Sequence, residues 1–300
     1  VVQQQGVDAE LTLRDPAGHA VLVVDSPNSE TGPERLFFLA EQTGPHLLEV
    51  RRLSAARGGR YTVEIAPPHP PAPADRVRAR ACRELSDADA AAATGPDAAR
   101  QRGLDGYRRA AALWRSVGDV AGEAITETKL GGAWLGLGDI RAAVARWQRA
   151  LALLHGHGLD DVLPALRNEL GMAYRWRGAP RRARAAFEAA LASARRIGDR
   201  HEEVAALADL ALLEQSAGAP WEALVRADEA LAIARTAGET AGEATALQDQ
   251  GMVYTVLGRL DEARDALARA AALDRATGDR GQEASATMEL GWARFWAGDP

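Results

Sequence analysis

From residue 75 onward the apolar positions recur at the spacing of one helix face. In residues 170–191, LGMAYRWRGAPRRARAAFEAAL, Leu170, Gly171 and Tyr174 stand at i, i+1 and i+4, and Gly178 interrupts the run. Ala183, Phe187, Ala190 and Leu191 then follow at i, i+4, i+7 and i+8. The stretch reads as a helix, a tight turn and a second helix, and it repeats. Gly138, Gly178, Gly218, Gly258 and Gly298 are 40 residues apart, and so are Gly118, Gly158, Gly198, Gly238 and Gly278. Two interleaved glycine series at one period predict an array of helical hairpins, with a turn glycine after every helix. Asp119, Asp199 and Asp279 follow the glycines of the second series, where they cap the next helix. Glu123, Glu203, Glu243 and Glu283 recur in or near its first turn, where negative charge favours the helix dipole. Acids that repeat because every hairpin needs them are read as structural, not catalytic.

Residues 1–66 lack this period. Val7, Ala9, Leu11 and Leu13 alternate with Asp8, Glu10, Thr12 and Arg14, and Tyr61, Val63 and Ile65 alternate in the same way. Strands are expected over residues 7–14, 19–25, 35–40, 46–53 and 60–65, with a turn at Asp15-Pro16-Ala17-Gly18. This predicts a small antiparallel β-sandwich over 1–66. Residues 67–74 are a proline-rich linker, extended and semi-rigid. The helical array then covers 75–300: a divergent first hairpin over 75–117, four full repeats over 120–277 and a half repeat over 280–298. Tyr107 and Ala110 stand 40 residues before Trp147 and Ala150, so the divergent hairpin is in register. The chain opens on Val-Val and stops at Pro300 part-way through a repeat. The β-domain is therefore expected to be truncated at its N-terminus, and the array to continue.

Composition narrows the function. The net charge of −6 argues against a phosphate-binding surface, and so against a nucleic-acid partner. Lys129 is the one lysine among 36 basic residues, which with the high alanine content fits the coding bias of a GC-rich genome rather than chemistry. Cys82 is alone, so an internal disulfide is ruled out. There is no apolar run long enough to span a membrane, and no membrane partner is expected. No signal peptide is seen, but with an N-terminus that looks cut this does not decide location; a cytoplasmic protein is the expectation.

Candidate chemistry is sparse. Cys82 sits in a helical run beside Ala81 and Leu85, as a buried small side chain does. His155 and His157 flank Gly156 on a connector, with Asp160 and Asp161 as the other nearby zinc ligands; an exposed loop is the default reading. Asp25, Asn28, Glu30 and Glu34 gather oxygen ligands at a spacing unlike an EF-hand loop, and a polar turn explains them equally. No phosphate-cradling, HExxH or GxSxG motif is present. No catalytic residue, metal or cofactor is assigned.

The repeats resemble the tetratricopeptide repeat (TPR) family. The first copy has Leu130-Gly131, Trp134, Gly138, Ala143, Trp147 and Ala150; the second has Leu170-Gly171, Tyr174, Gly178, Ala183, Phe187 and Ala190. The third is looser, with Leu210-Ala211, Gly218, Ala223, Ala227 and Ala230. The fourth has Gly251, Tyr254, Gly258, Ala263, Leu267 and Ala270, and a fifth begins with Leu290-Gly291. Glu214, Gln250 and Arg294 stand where the pattern wants apolar groups. Long second helices without a closing proline are similar to the variant found in kinesin light chains and many bacterial signalling proteins. The resemblance implies an all-α TPR superhelix whose groove is lined by the first helix of each hairpin. Its lining positions here are Asn168, Met172, Arg175, Trp176, Leu212, Gln215, Gln248, Met252, Met288, Trp292 and Phe295. The three methionines of the chain all fall in this set and suit an adaptable apolar surface, although methionine and tryptophan also fill cores.

The order of parts resembles the N-terminal half of bacterial TPR–CHAT proteins, on Asp25-Ser26-Pro27-Asn28, Gly32-Pro33-Glu34, Gly198-Asp199-Arg200 and Gly278-Asp279-Arg280. That resemblance implies a non-catalytic peptide-binding and regulatory region. Its partners would be a protein or peptide in the groove and a caspase-like CHAT protease domain after Pro300. The alternatives are the sensor array of a bacterial transcription regulator or signalling NTPase, or a sugar- or metal-binding β-domain with the repeats as a spacer.

Overall fold

The computed structural model describes residues 1–5, 7–27, 31–53, 59–93, 97–157 and 164–298. They fall into two compact units, one of residues up to Leu166 and one from Arg167 onward.

The first unit begins with six short strands, β1 (Val2–Gln5), β2 (Ala9–Arg14), β3 (Ala20–Val24), β4 (Thr31–Glu34), β5 (Leu47–Arg52) and β6 (Arg60–Val63). They form two three-stranded antiparallel sheets, ordered β4-β1-β6 and β3-β2-β5. Leu11 pairs with Val24 and Val50, and Leu13 with Leu22 and Leu48, so one face of the second sheet is apolar throughout. That face packs with Val2, Ala81, Cys82, Ala110 and Trp114 into one core. The helices beneath it are α1 (Pro73–Ala93) and α2 (Asp97–Ser116), followed by α3 (Val120–Gly136) and α4 (Ile140–His155).

One expected strand is absent, and two strands are present that the period-two pattern does not predict. Residues 35–40 form no ladder. The pairing strand is β4, just upstream, and Arg35 leaves the sheet to form a two-pronged ion pair with Asp119 at 2.9 and 3.0 Å. Leu36, Phe37 and Phe38 then pack onto the sheet-helix core as irregular chain, with the Phe37 ring 5.9 Å from that of Trp114. β1 and β4 were hidden in the sequence because their buried positions include polar groups: Gln4 and Glu34 are both fully buried. Pro33 is tolerated in β4 because that strand is an edge.

The second unit contains α5 (Pro164–Trp176) from Arg167 onward, α6 (Pro180–Ile197), α7 (Arg200–Ser216), α8 (Pro220–Ala237), α9 (Thr240–Val256), α10 (Leu260–Thr277) and α11 (Arg280–Ala297). In both units the glycine punctuation does what the spacing predicts. Gly118, Gly138, Gly178, Gly198, Gly218, Gly238, Gly258, Gly278 and Gly298 all have φ between 67° and 81°, the left-handed region that ends a helix. Gly158 lies outside the described residues. Asp119, Asp139, Asp199 and Asp279 cap the next helix by accepting from the N–H of Gly122, Ala142, Glu202 and Gln282. Where Ala179 and Ala219 offer no capping side chain, Pro180 and Pro220 open the helix instead.

The recurrent glutamates have structural partners. Arg115, Arg195, Arg235 and Arg275 close each helix pair and donate through Nε to Glu123, Glu203, Glu243 and Glu283, eight residues on, at 2.9, 2.9, 2.8 and 2.6 Å. Each bond ties the end of one hairpin to the first turn of the next.

A second regularity sits inside each hairpin. A Cβ added at Gly131 would enter the indole of Trp147, one at Gly171 the ring of Phe187, and one at Gly251 the side chain of Leu267. A helix-interior glycine costs about 1 kcal/mol against alanine. Here it lets a large side chain from the partner helix lie flat on the backbone, and Trp147, Phe187 and Leu267 are almost fully buried. In the third copy the glycine is Ala211 and the large residue is Ala227, and the two share one buried cluster.

Gly291 on α11 has the same place in its repeat, yet its Cβ would meet nothing within 4 Å. Around it Met288, Trp292, Phe295 and Trp296 are all exposed, and Phe295 stacks edge-on with both tryptophans. A patch of this kind drives association. The chain is expected to self-associate at high concentration in sedimentation velocity, and Phe295→Glu with Trp296→Glu to abolish it. A monomer at every concentration would overturn the expectation.

Candidate peptide-binding face

The helices that should line a groove in the second unit are α5, α7, α9 and α11. The expected positions fall into three groups. Trp176, Met288, Trp292 and Phe295 are exposed. Met172, Arg175, Leu212, Gln215 and Met252 are half-buried, and Met172 packs against the main core of the unit. Asn168 and Gln248 are used between neighbouring first helices. The Asn168 Nδ2 donates to Glu202 at 2.8 Å, and the Gln248 Nε2 donates to Ser285 at 2.8 Å. The Asn168 Oδ1 is buried with no hydrogen-bond partner.

Glu214, which replaces an aromatic residue in the third repeat, is buried as an ion pair. Its Oε1 takes Arg184 of α6 at 2.9 Å and lies 3.7 Å from Arg226 of α8.

The sequence reading missed a row of carboxyl groups on the same helices. Glu169, Asp209, Asp249 and Glu289 stand 40 residues apart, each three residues before a groove position: Met172, Leu212, Met252 and Trp292. On a helix, i and i+3 share a face. Asp249 is only 8% exposed, and its Oδ2 has no hydrogen-bond partner. Burial pushes the Asp249 carboxyl up to about 8, with the neighbouring Asp209 adding repulsion. Burial likewise raises Asp209 to about 7, with Arg175 opposing and Glu169 reinforcing the rise. Glu169 is raised by burial. The signal was available in the 40-residue register, but acids on a charged chain read as solvated until burial is known.

The other candidates gain no chemistry. Cys82 is buried, and burial pushes its thiol up to about 11, so no thiolate nucleophile is held there. His155 and His157 are exposed, and the His157 Nδ1 lies 2.9 Å from the Leu153 carbonyl oxygen. Asp160 and Asp161 lie outside the described residues, as do Asn28 and Glu30. Glu34 turns inward, accepting from the Ser26 N–H at 2.9 Å and from Gln4 Nε2 at 3.1 Å. Among the described residues no three histidine, cysteine or acidic side chains gather as metal ligands. Also among them, no helix is long and apolar enough to cross a membrane.

A family model described as tetratricopeptide repeat matches residues 161–236. The helical array is of the tetratricopeptide type. Three solved structures share this TPR fold. BtubC (BKLC) from P. vanneervenii is 19% identical with a TM-score of 0.52, the match covering 69% of this chain and 93% of that one. Aspartyl phosphate phosphatase F from Bacillus subtilis is 12% identical with a TM-score of 0.64, over 73% of this chain and 57% of that one. A Signal Transduction ATPase with Numerous Domains protein with a tetratricopeptide repeat sensor, from Pyrococcus horikoshii, is 15% identical with a TM-score of 0.50, over 72% and 37%. No curated protein matches the chain. At these identities the TPR likeness is one of fold. TPR arrays are generally non-catalytic protein-interaction scaffolds.

Proposed function

We propose that the second unit binds an extended segment of a protein partner along α5, α7, α9 and α11, and that the chain is a non-catalytic regulatory scaffold acting in the cytoplasm. The observation that carries this reading is the exposure of Trp176 at a lining position of α5, beside the half-buried Met172 and Arg175, while most other large apolar side chains of α5, α7 and α9 are buried or half-buried. Exposed aromatic anchors on a rigid face are the residues that dominate peptide affinity. Asn168 and Gln248 contribute by fixing the spacing of neighbouring first helices.

The regulated domain is, in this proposal, a caspase-like CHAT protease on the same polypeptide. The two β-domain motifs behind that resemblance meet through the Ser26 N–H and the Glu34 carboxyl, which supports reading them as one structural signature.

Selection of a displayed random peptide library against the chain tests the groove. Trp176→Ala and Trp292→Ala are each expected to weaken a selected peptide about tenfold without moving the thermal midpoint. Peptides indifferent to both substitutions would remove the groove. The sequence encoded downstream of Pro300 tests the regulatory half. A histidine and a cysteine in a caspase-like α/β pattern support it; a P-loop or DNA-binding domain turns the array into a sensor instead.

A further inference from the structure

Within the face proposed above, the structure assigns a cationic ligand: we infer that α5, α7 and α9 take a peptide whose arginine or lysine side chains reach the carboxyl groups of Glu169, Asp209 and Asp249. The inference rests on the groove reading and adds the chemistry of the occupant.

The first argument is the missing countercharge. Glu169 and Asp249 take part in no ion pair among the described residues, and the charge acting on Asp249 is another carboxyl, Asp209. Asp209 has Arg175 in its field, but the Arg175 Nε is itself buried without a hydrogen-bond partner. A buried carboxyl with an unpartnered oxygen is costly, so such groups are rare unless something completes them. Asp249 is such a group.

The second argument comes from the first unit, where the same 40-residue register is already completed. Asp89 and Lys129 occupy the positions equivalent to Glu169, Asp209 and Asp249. The Lys129 ammonium donates to the Asp89 Oδ2 at 3.0 Å, and Tyr107 donates to Oδ1 at 2.7 Å. The single lysine of the chain thus stands in this register and neutralises the acid one repeat away. In the second unit four carboxyl groups, Glu289 among them, stand in the register with no lysine or arginine in it, and Asp209 has Arg175, from outside the register, in its field.

The third argument is shape. Each carboxyl lies at the inner end of a stripe that becomes more exposed along its helix. Glu169, Met172 and Trp176 form one stripe, and Asp249, Met252 and Val256 another, with Trp176 and Val256 exposed. A side chain with an apolar stem and a charged tip fits a site with an apolar rim and an acidic base.

The test uses the full chain and an octapeptide of alternating arginine and leucine. Its partner probe has citrulline, uncharged and of nearly the same shape, in place of arginine. The arginine peptide is expected to bind at least about tenfold tighter. Asp249→Asn is expected to cut that preference to about threefold or less, and Glu169→Gln to lower it independently; the pairing of peptide and protein changes isolates the interaction. Equal affinity for the two peptides overturns the inference, as does a preference that survives both substitutions. If the citrulline peptide binds as well and Trp176→Ala weakens it, the groove reading stands and the cationic assignment falls. If neither peptide binds, the cationic assignment falls and the library selection decides the groove.

Discussion

Replacing Gly171 by leucine is expected to cost about 3 kcal/mol or more, above the usual range for overpacking. The added side chain must enter the Phe187 ring, which is fully buried and has nowhere to move. The sharper form of the prediction is a double-mutant cycle. Gly171→Ala puts a methyl group into the ring. Phe187→Ala alone leaves a cavity and costs about 3–5 kcal/mol. Together they recreate the Ala211 and Ala227 combination of the third repeat, so the pair is expected to cost about 1–3 kcal/mol less than the sum of the singles. Additive losses in urea unfolding would mean that the two helices do not meet as described.

The second large effect is a loss of stability with rising pH in the first unit. Burial pushes Glu34 up to about 8, against an ordinary value of 4.5, even though two N–H groups donate to it. A carboxyl raised in the folded state gives stability that is complete below its unfolded value and lost as pH rises through the folded one. The window is therefore about pH 4.5 to 8, and the loss is at most about 5 kcal/mol. Glu34→Gln is expected to be less stable at pH 6, because one of two accepting oxygens becomes an amide NH₂ facing a donor, and to show a flatter profile up to pH 9. Asp209 and Asp249 have the same sign in the second unit, so the comparison with Glu34→Gln isolates this group. A urea midpoint that is level or rises from pH 6 to 9 would contradict the assignment.

The helices were legible in the sequence because their punctuation is strictly periodic. The turn glycines recur every 40 residues, the Asp119, Asp199 and Asp279 caps every 80, and the Leu-Gly pairs at 130, 170 and 290 keep the same register, each with a local cause. The strands were less so, because β1 and β4 bury Gln4 and Glu34 where a period-two reading looks for apolar groups. Residues 35–40 read as a strand, but Leu36, Phe37 and Phe38 serve a core between sheet and helices as irregular chain. For the candidate face, helix register named the positions but not their depth. Nothing local distinguishes Asn168, which bonds to Glu202, from Trp176, which is exposed. The carboxyl row escaped for the same reason: its register was visible, but the burial of Asp249 is a tertiary fact.

The matching of Gly131 with Trp147, Gly171 with Phe187, Ala211 with Ala227 and Gly251 with Leu267 makes each hairpin its own lock and key. A crossover that joined the first helix of one repeat to the second helix of another would often fail. Gly171 beside Ala227 leaves a void, and Ala211 beside Phe187 leaves a clash. Gene duplication or loss in steps of one whole hairpin keeps every pair intact. The array therefore tolerates a change in length by whole hairpins better than internal shuffling, and Ala211 and Ala227 are matched to each other as Gly171 and Phe187 are.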